Sequence, residues 1–347
     1  MFRTRPPGSP SPELSVLVVS YNTVDETVAC LRSVIEETHG VEYEIIVVDN
    51  ASTDGSADAI EAVDPSIRLV RSAENLGFGA ANNLASKMAR GRLLLLLNPD
   101  TLLRMDALTR LVSFSHSHPR ARLWGGRTVA LDGTLNIGSC WGAPTLWGLF
   151  CRAIGLSSVF KGSSFFNREA MGGWKRDTIR EVDIVSGCFL MIERELWEDL
   201  AGFHRDFFMY GEDIDLSLRA RRLGAAPRIC PQAEIVHLEG ASERVKSAKL
   251  VRLFTSRMKL YRKFWSPLKA SCGLGLVELR VLVRVASDAV RSPFRRGDAR
   301  KSEWAEVWRQ REVWREAFRT TERYGAFEPG AWGRLEADEF AVETRSG

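Results

Sequence analysis

Two carboxylates stand directly after apolar runs in the first hundred residues. Asp49 closes the run 44–49, and Asp100 follows the five leucines 93–97 with Asn98 two positions before it. A carboxylate at a strand end can accept hydrogen bonds from a nucleobase N–H or a ribose hydroxyl, or hold Mg²⁺ or Mn²⁺ against a diphosphate. We predict a nucleotide contact for Asp49 and a metal-supporting role for Asp100, with helix capping as the alternative for Asp100.

A second group of acids lies much later in the chain. Glu212, Asp213 and Asp215 fall within four positions, directly after the aromatic run 207–210. Burial and neighbouring like charge raise a carboxyl pKa, which makes the group a better base at neutral pH. Glu212 and Asp213 are therefore competing candidates for a general base. The alternative is an acidic helix N-terminus stabilised by the helix dipole, with Asp215 paired to Arg219.

Two weaker signals accompany the acids. His237 ends an apolar stretch after the acid cluster and could complete a metal shell as a neutral imidazole, although a lone histidine at a strand end is usually structural. The segment 75–83 contains Asn75 and Gly77, and its glycines permit close backbone approach. Its spacing matches neither a dinucleotide fingerprint nor a Walker loop, so a plain turn into a helix is equally consistent with it.

The elements that must position these residues alternate in type. The pattern predicts strands at 15–20, 44–49, 67–71 and 92–97. Between them it predicts helices at 25–37, from 54–56 onward, and at 79–90. Such alternation predicts a parallel sheet covered on both faces. Ligands bind such sheets beyond the carboxyl ends of the strands. There the sequence places Ser20, Tyr21 and Asn22, then Asp49, then Asn98 and Asp100.

The remainder of the chain is less regular at first and basic later. Residues 136–178 are predicted to form a long mobile loop on an acceptor side, and a strand pair follows at 182–192. The segment 244–265 carries eight Lys or Arg up to residue 263 and no acid. Its apolar residues recur every three or four positions, which indicates an amphipathic helix. It either lies on an anionic membrane face or packs on the preceding domain.

Composition narrows the class of protein. The chain has 347 residues and a net charge of +4, which is too small to indicate a nucleic-acid-binding protein. The N-terminus lacks an apolar h-region, and charges interrupt the apolar stretch 272–290, so neither a signal peptide nor a spanning helix is predicted. We expect a cytoplasmic protein, with peripheral contact to the cytoplasmic face of the inner membrane if 244–265 binds lipid.

Taken in order, these segments resemble family 2 glycosyltransferases of the GT-A fold, and most closely the rhamnosyltransferase-like enzymes of bacterial cell-wall and O-antigen assembly. The resemblance covers about residues 13–240. It rests on an ordered set of segments, which are VVSYN at 18–22, VDNASTDGS at 48–56, NLGFG at 75–79, LNPDT at 97–101, SGC at 186–188, GEDID at 211–215 and VH at 236–237.

A domain organisation follows from composition and resemblance together. Residues 1–12 are rich in Pro and Ser and are predicted to be disordered. The resemblance implies that 13–240 form an α/β GT-A catalytic domain with a mixed, mainly parallel sheet and helices on both faces. That domain would divide into a nucleotide-sugar-binding half at 13–120 and an acceptor-side half at 121–240. The resemblance fades beyond residue 240, where charge and periodicity predict that 241–347 form a helical, basic extension.

The resemblance also implies roles. Asp49 would read the donor base, with Ser20, Tyr21, Asn22, Asn75, Gly77 and Asn98 around the donor. Asp100 and His237 would bind Mg²⁺ or Mn²⁺, with Asn98 replacing one acid of the usual motif. Asp213, or its neighbour Glu212, would be the base of an inverting single displacement. The implied donor is dTDP-rhamnose or a UDP-sugar, and the implied acceptor is a glycan or a polyprenyl-linked glycan.

Two other functions compete with this interpretation. A sugar-nucleotidyltransferase would show a glycine-rich loop with Arg and Lys after the first strand, whereas residues 20–24 read SYNTV. A protein that binds nucleotide sugars without turnover would not need its acids, and the retained Asp49, Asp100, Asp213 and His237 argue against it.

Overall fold

The computed structural model describes residues 11–238, 246–291 and 302–325, and these divide into two compact units. The first unit contains residues 11–141 and 175–238. The second contains 142–174, 246–291 and 302–325. Most of the predicted disordered segment 1–12 lies outside the described residues. The segment 142–174, which the sequence assigned to the acceptor-side half, groups instead with the C-terminal helices.

The first unit is built on a large mixed sheet. Its strands are β1 (Leu14–Ser20), β2 (Tyr43–Asp49), β3 (Arg68–Arg71), β4 (Leu93–Leu97), β5 (Thr101–Leu103), β6 (Leu123–Val129), β7 (Leu135–Asn136), β8 (Cys140–Trp141), β9 (Arg180–Glu181), β10 (Ile184–Val185), β11 (Phe189–Glu193) and β12 (Arg228–His237). The main sheet has the order β3-β2-β1-β4-β11-β6-β12-β5, with β7 beside β6 and β9 beside β12, while β8 and β10 form a separate pair.

Helices cover this sheet and make up the second unit. The helices are α1 (Val24–Glu36), α2 (Ser56–Glu61), α3 (Gly77–Met88), α4 (Ala107–Ser117), α5 (Leu146–Ala153), α6 (Leu156–Val159), α7 (Arg194–Asp199), α8 (Glu212–Arg222), α9 (Lys246–Phe264), α10 (Pro267–Arg291), α11 (Glu303–Arg309) and α12 (Arg311–Thr320). The second unit contains α5, α6 and α9 to α12. The segment 136–178, predicted to be one long mobile loop, therefore contains α5 and α6.

The alternating strands and helices of the first hundred residues form as predicted. β1 pairs in parallel with both β2 and β4, and every residue of β1 and β4 is buried. Continuous apolar runs suit such strands because helices cover both of their faces. The carboxyl ends of β1, β2 and β4 consequently meet at one edge, which brings Ser20, Asp49 and Leu97 to the same end of the sheet.

The sheet is mixed, as predicted, because β11 and β5 run against β1 and β4 whereas β6 and β12 run with them. β11 runs antiparallel to β4 and places Phe189 opposite Leu97. β12 runs antiparallel to β5 and places His237 opposite Thr101. Both strands thereby deliver distant parts of the chain to the edge where the first strands end.

The second unit buries the apolar face of α9. Phe254, Met258, Tyr261 and Trp265 are nearly inaccessible to solvent, and α9 packs against α10, α11 and α12. The predicted amphipathic helix is confirmed, but its apolar face is occupied within the unit and cannot lie on a membrane. No helix in the described part of the chain combines the length and the apolar character needed to cross a bilayer.

A buried ion cluster ties α5 to α9 through the segment between α6 and β9. The carboxylate of Glu169 lies 3.1 Å from a guanidinium nitrogen of Arg152 and also binds the guanidinium of Arg257. Burial alone would raise the pKa of Glu169, but the two arginines outweigh it and hold that pKa at about 2. Glu169 is therefore ionised at neutral and at mildly acidic pH, and it neutralises the charges of Arg152 and Arg257, which are shielded from water.

Replacing Glu169 with Gln should destabilise the second unit by about 3–5 kcal/mol, because two buried guanidinium groups would lose their counter-charge. Equilibrium urea unfolding followed by tryptophan fluorescence measures the change. Since the folded pKa of Glu169 is depressed, its contribution is present above its ordinary pKa and is lost as the pH falls towards about 2.

Glu198→Gln is the matched control. Glu198 is 65% exposed and lies 3.9 Å from Arg194, so its loss should change the free energy of unfolding by less than about 1 kcal/mol. Equal effects of the two substitutions would show that the Glu169 cluster is no stronger than a surface ion pair.

Candidate active site

Asp49 presents an unsatisfied oxygen at the end of β2. The residue is 4% exposed, and its Oδ2 accepts a hydrogen bond from the backbone N–H of Ser52 at 3.2 Å. Its Oδ1 is buried and has no hydrogen-bond partner within the described residues. A buried carboxylate oxygen without a donor costs free energy unless a ligand supplies one. The geometry suits a base N–H or a hydroxyl, as predicted for Asp49.

Asn50 and Asn75 shape the turn that leads into α3. The amide nitrogen of Asn50 donates to Oδ1 of Asn75 at 2.9 Å, and Oδ1 of Asn50 accepts from the N–H of Leu76 at 2.9 Å. Oδ1 of Asn75 also accepts from the N–H of Gly77. The side-chain oxygen of Asn75, predicted to contact the donor, is thus used within the fold. Asn50, which directly follows Asp49 at the end of the second strand, therefore has a structural role in the site.

Gly77 allows the segment before α8 to approach α3. Its φ is +78°, and a Cβ at this position would lie 2.5 Å from the carbonyl oxygen of Phe208. The next N–H, that of Phe78, donates to the same oxygen at 3.0 Å. Gly77 is therefore required so that the chain just before Glu212 can pack against α3. This packing accounts for the positive φ of Gly77 without the predicted contact to the donor.

The three residues after β1 have different environments. The Ser20 hydroxyl is fully buried 2.9 Å from the hydroxyl of Thr27, so its predicted ligand contact is replaced by an internal one. Oδ1 of Asn22 accepts from the N–H of Thr53 at 2.8 Å and secures the loop after Asp49. Tyr21, in contrast, is 42% exposed and can meet a ligand.

Asp100 and His237 form a buried pair, although 137 positions separate them. Nε2 of His237 lies 3.3 Å from Oδ1 of Asp100, and both side chains are mostly buried. The N–H of Leu238 donates to the carbonyl oxygen of Asp100 at 2.9 Å, which extends the β5–β12 pairing. The structure thus brings together the two residues predicted to bind metal.

The surroundings of His237 favour its protonated form. Burial lowers its pKa, but the neighbouring Asp100 and Cys188 outweigh burial and raise that pKa to about 10. A metal ion bound to the ring would have to displace this proton.

A divalent cation fits this pair if other ligands complete its shell. Oδ1 of Asp100 and Nδ1 of His237 are both buried without a well-formed hydrogen bond inside the described ranges. No group of three or more His, Cys, Asp or Glu side chains surrounds a metal position in those ranges. Asp100 and His237 would thus be two protein ligands, and diphosphate and water oxygens would supply the rest, as is usual for Mg²⁺.

Asp213 is held by main-chain donors at the start of α8. Its Oδ2 accepts from the N–H of Gly187 at 3.1 Å, and its Oδ1 accepts from the N–H of Ile214 at 2.8 Å. The adjoining residue Cys188 accepts a hydrogen bond from the N–H of Asn98 at 3.1 Å through its carbonyl oxygen. The turn 186–188 therefore links Asp213 to the segment that carries Asp100. No individual role for Gly187 or Cys188 followed from the sequence, although both belong to the SGC segment that carries part of the resemblance.

Glu212 and Asp213 share one environment but differ in their partners. Burial, followed by the adjacent Asp213, raises the pKa of Glu212 to about 8, and its buried Oε2 has no hydrogen-bond partner in the described chain. Burial also raises the pKa of Asp213, but the N–H groups of Gly187 and Ile214 oppose that rise. Glu212 is therefore the member that retains a proton at neutral pH.

Asp215, the third acid, is structural. Its carboxylate accepts from Nε of Arg219 at 2.7 Å, and both side chains are almost completely buried. Arg219 also donates to the carbonyl oxygens of Leu200 and Gly202 at 2.7 and 2.9 Å. The predicted Asp215–Arg219 pair is confirmed, and it anchors α8 to the turn after α7.

Comparison with known proteins identifies relatives of this chain. The family described as "Glycosyl transferase family 2" matches residues 15–199, over half of the chain. The O-antigen biosynthesis protein RfbC of Myxococcus xanthus is 26% identical over 70% of this chain and 18% of its own length. The N-acetylglucosaminyl-diphospho-decaprenol L-rhamnosyltransferase of Mycobacterium tuberculosis is 25% identical over 56% of this chain and 66% of its own length.

The chain spans about a quarter or less of two of the curated relatives that it matches. Among solved structures, the mannosyltransferase PcManGT of Pyrobaculum calidifontis, in complex with GDP-Man and Mn²⁺, superposes with a TM-score of 0.53. The sequences are 19% identical, and the superposition covers 89% of this chain and 86% of that one. The predicted α/β fold of the GT-A type is confirmed.

Glu212→Gln should make the stability of the chain less dependent on pH. Between the ordinary pKa of 4.5 and about 8, the unfolded carboxyl loses its proton while the folded one retains it, so rising pH favours unfolding. The amide cannot ionise. Each pH unit between the two pKa values corresponds to about 1.4 kcal/mol, so the variant should gain about 4 kcal/mol relative to the wild type between pH 5 and pH 9.

Urea unfolding across that range provides the measurement, with Glu195→Gln, which is 84% exposed, as the control. A stability difference between Glu212→Gln and the wild type that is constant with pH would mean that Glu212 titrates alike in the folded and unfolded chains.

Gly77→Ala should destabilise the fold more than Gly55→Ala. Both glycines have positive φ, +78° and +86°, so both alanines incur about 1–2 kcal/mol of backbone strain. Only Gly77 has the Phe208 carbonyl in the way, whereas a Cβ at Gly55 meets nothing within 4 Å. The difference between the two free energies of unfolding isolates the close contact, and a difference near zero would refute its importance.

Proposed function

The chain belongs to glycosyl transferase family 2, and on this premise we propose that it transfers a sugar from a nucleoside-diphosphate donor to a hydroxyl of a glycan acceptor during cell-envelope polysaccharide synthesis. One observation carries the proposal. The turn 186–188 joins Asp213, a carboxylate suited to proton removal, to the segment of Asp100, a carboxylate suited to donor binding. Acceptor activation and donor binding then occur at one sheet edge.

On the donor side, Asp49 binds the nucleoside. Its free Oδ1 accepts a hydrogen bond from the base or the ribose, while the loop that Asn22 secures keeps its Oδ2 in place. The exposed ring of Tyr21 stands next to this loop and contacts the nucleotide. Asn50 and Asn75 act indirectly, because they fix the turn beside Asp49.

On the diphosphate side, Asp100 and His237 are the residues that would hold Mg²⁺ or Mn²⁺. A bound divalent cation offsets the charge that develops on the departing diphosphate. The Mn²⁺ in the PcManGT complex supports this assignment at the level of the fold.

The base is Asp213 rather than Glu212. Glu212 retains its proton, so the pair carries one negative charge, and the two backbone N–H groups orient that charge on Asp213. Asp213 accepts the proton of the acceptor hydroxyl while that oxygen attacks the anomeric carbon opposite the diphosphate. A single displacement of this kind inverts the anomeric configuration and needs no covalent intermediate.

The donor and acceptor are proposed from the relatives. The rhamnosyltransferase of M. tuberculosis supports dTDP-rhamnose as the first donor to test, with UDP-sugars next, and its diphospho-decaprenol substrate supports a polyprenyl-linked acceptor. The relation to RfbC supports a role in surface polysaccharide synthesis. The cytoplasmic location stays a prediction.

The test is release of nucleoside diphosphate from a panel of donors with Mn²⁺ or Mg²⁺, each with and without a bacterial lipid extract. The panel contains dTDP-rhamnose, UDP-galactose, UDP-glucose and GDP-mannose. We expect metal-dependent release from one donor, and a loss of about 10²-fold or more in Asp100→Ala and Asp213→Asn. Asp58→Asn, whose side chain is 84% exposed and pairs with Arg71, is the matched control and should retain full activity.

Measurements of donor binding distinguish the two variants from each other and the proposed function from its alternatives. Asp213→Asn should still bind donor and metal, whereas Asp100→Ala should lose the metal dependence of binding. Tight donor binding without release under any condition would instead favour a nucleotide-sugar-binding protein without turnover. Formation of a sugar nucleotide from a sugar phosphate and a nucleoside triphosphate would favour a nucleotidyltransferase.

A further inference from the structure

The second unit exposes a concentrated group of large apolar side chains on and after α5. We call it the aromatic patch, and its members are between 37% and 73% exposed to solvent: Trp147, Phe150, Ile154, Val159, Phe160 and Phe165. Single exposed apolar residues are ordinary on protein surfaces, but six within nineteen positions indicate an interaction surface.

Internal contacts give the patch a defined shape. The ring of Trp147 lies 5.7 Å from that of Phe150 and 5.1 Å from that of Phe165, measured between centroids. The indole N–H of Trp147 also donates to the carbonyl oxygen of Phe165 at 3.0 Å. Phe160 stacks on the partly buried Phe166 at 4.9 Å. The exposed rings are thus held in place before any partner arrives.

The charge around the patch has one sign. Residues 142–168 contain Arg152, Lys161 and Arg168 but no acid, and Lys161 and Arg168 are exposed. Five further Lys or Arg of the same unit reach the surface within 247–277, a range that contains no acid: Lys249, Arg252, Lys259, Arg262 and Lys269. A partner for this surface should therefore be apolar where it meets the rings and anionic around them.

This combination distinguishes a lipid bilayer from a second copy of the chain. In a two-fold contact each patch would meet its own copy, and the cations at its rim would face identical cations. Anionic headgroups offset the same charge, and each nearby Lys or Arg strengthens binding to them. Tryptophan and phenylalanine also suit the boundary between headgroups and acyl chains.

We propose that the second unit binds the surface of an anionic bilayer, with the aromatic patch inserted at the headgroup boundary. The surface cations of 247–277 contribute attraction only, because the apolar face of α9 is buried. This differs from the sequence prediction, in which the apolar face of that helix itself met the membrane. Binding would bring the chain to a lipid-linked acceptor, but it requires neither donor nor turnover, so its failure would leave the proposed transfer reaction untouched.

Co-sedimentation of the full chain with vesicles tests the proposal. We expect binding to vesicles of phosphatidylcholine with phosphatidylglycerol, binding at least about ten-fold weaker to phosphatidylcholine alone, and weakening by salt at about 0.5 M. The double variant Val159→Ser/Phe165→Ser removes the two most exposed members of the patch, 73% and 62% exposed. It should reduce the partition coefficient by about ten-fold or more.

The matched control is Leu268→Ser/Val290→Ser, which removes two side chains of α10 that are 78% and 73% exposed in the same unit. It should bind vesicles like the wild type. Both variants should unfold at the wild-type temperature, since the replaced side chains are largely exposed. Undiminished vesicle binding by the patch variant, or binding lost only in the α10 variant, would overturn the proposal. So would absence of vesicle binding together with a dimer that the patch substitutions dissociate.

Discussion

The antiparallel pairing of β11 with β4 is the constraint on which the site depends. It sets Phe189 opposite Leu97, and the turn 186–188 consequently lies beside the segment 98–100. From that turn, the carbonyl oxygen of Cys188 receives the N–H of Asn98, and the N–H of Gly187 reaches Asp213. Two carboxylates far apart in the chain are thus tied to one short stretch of backbone. Because these bonds are made by the main chain, the arrangement tolerates side-chain changes better than changes in register.

The site concentrates groups that are costly to bury. Within the described residues, Glu212 has a buried oxygen without a donor, Asp49 has another, and the His237–Asp100 pair is shielded from water. Each would be more stable in a fully satisfied network, so the fold gives up stability where a ligand is to bind. The Asp215–Arg219 pair shows the contrast, because Arg219 meets carbonyl oxygens as well as its acid and nothing in it awaits a ligand.

The second unit uses charge differently. Glu169 is surrounded by arginines and stays ionised, which makes its carboxylate a structural centre between α5 and α9. The apolar side chains of α9 are buried by packing, whereas several of those on α5 and in the following turn are exposed to solvent. An apolar helix face is therefore not by itself evidence of a binding surface. Such a face can bind a partner only if no neighbouring element covers it.

The sequence by itself determined the alternating strands and helices of the first hundred residues, the position of Asp49 and Asp100 at strand ends, and the Asp215–Arg219 pair one helical turn apart. Each of these depends on local periodicity, which nearby residues alone encode. The sequence could not order the strands after β5, place His237 beside Asp100, or join 142–174 to the C-terminal helices, because such contacts link residues that are far apart in the chain. Nor could it show that Ser20, Asn75 and Gly77 serve the fold. Burial and hydrogen-bond partners exist only once the chain is packed, so tertiary structure alone decided which polar groups were left for a ligand.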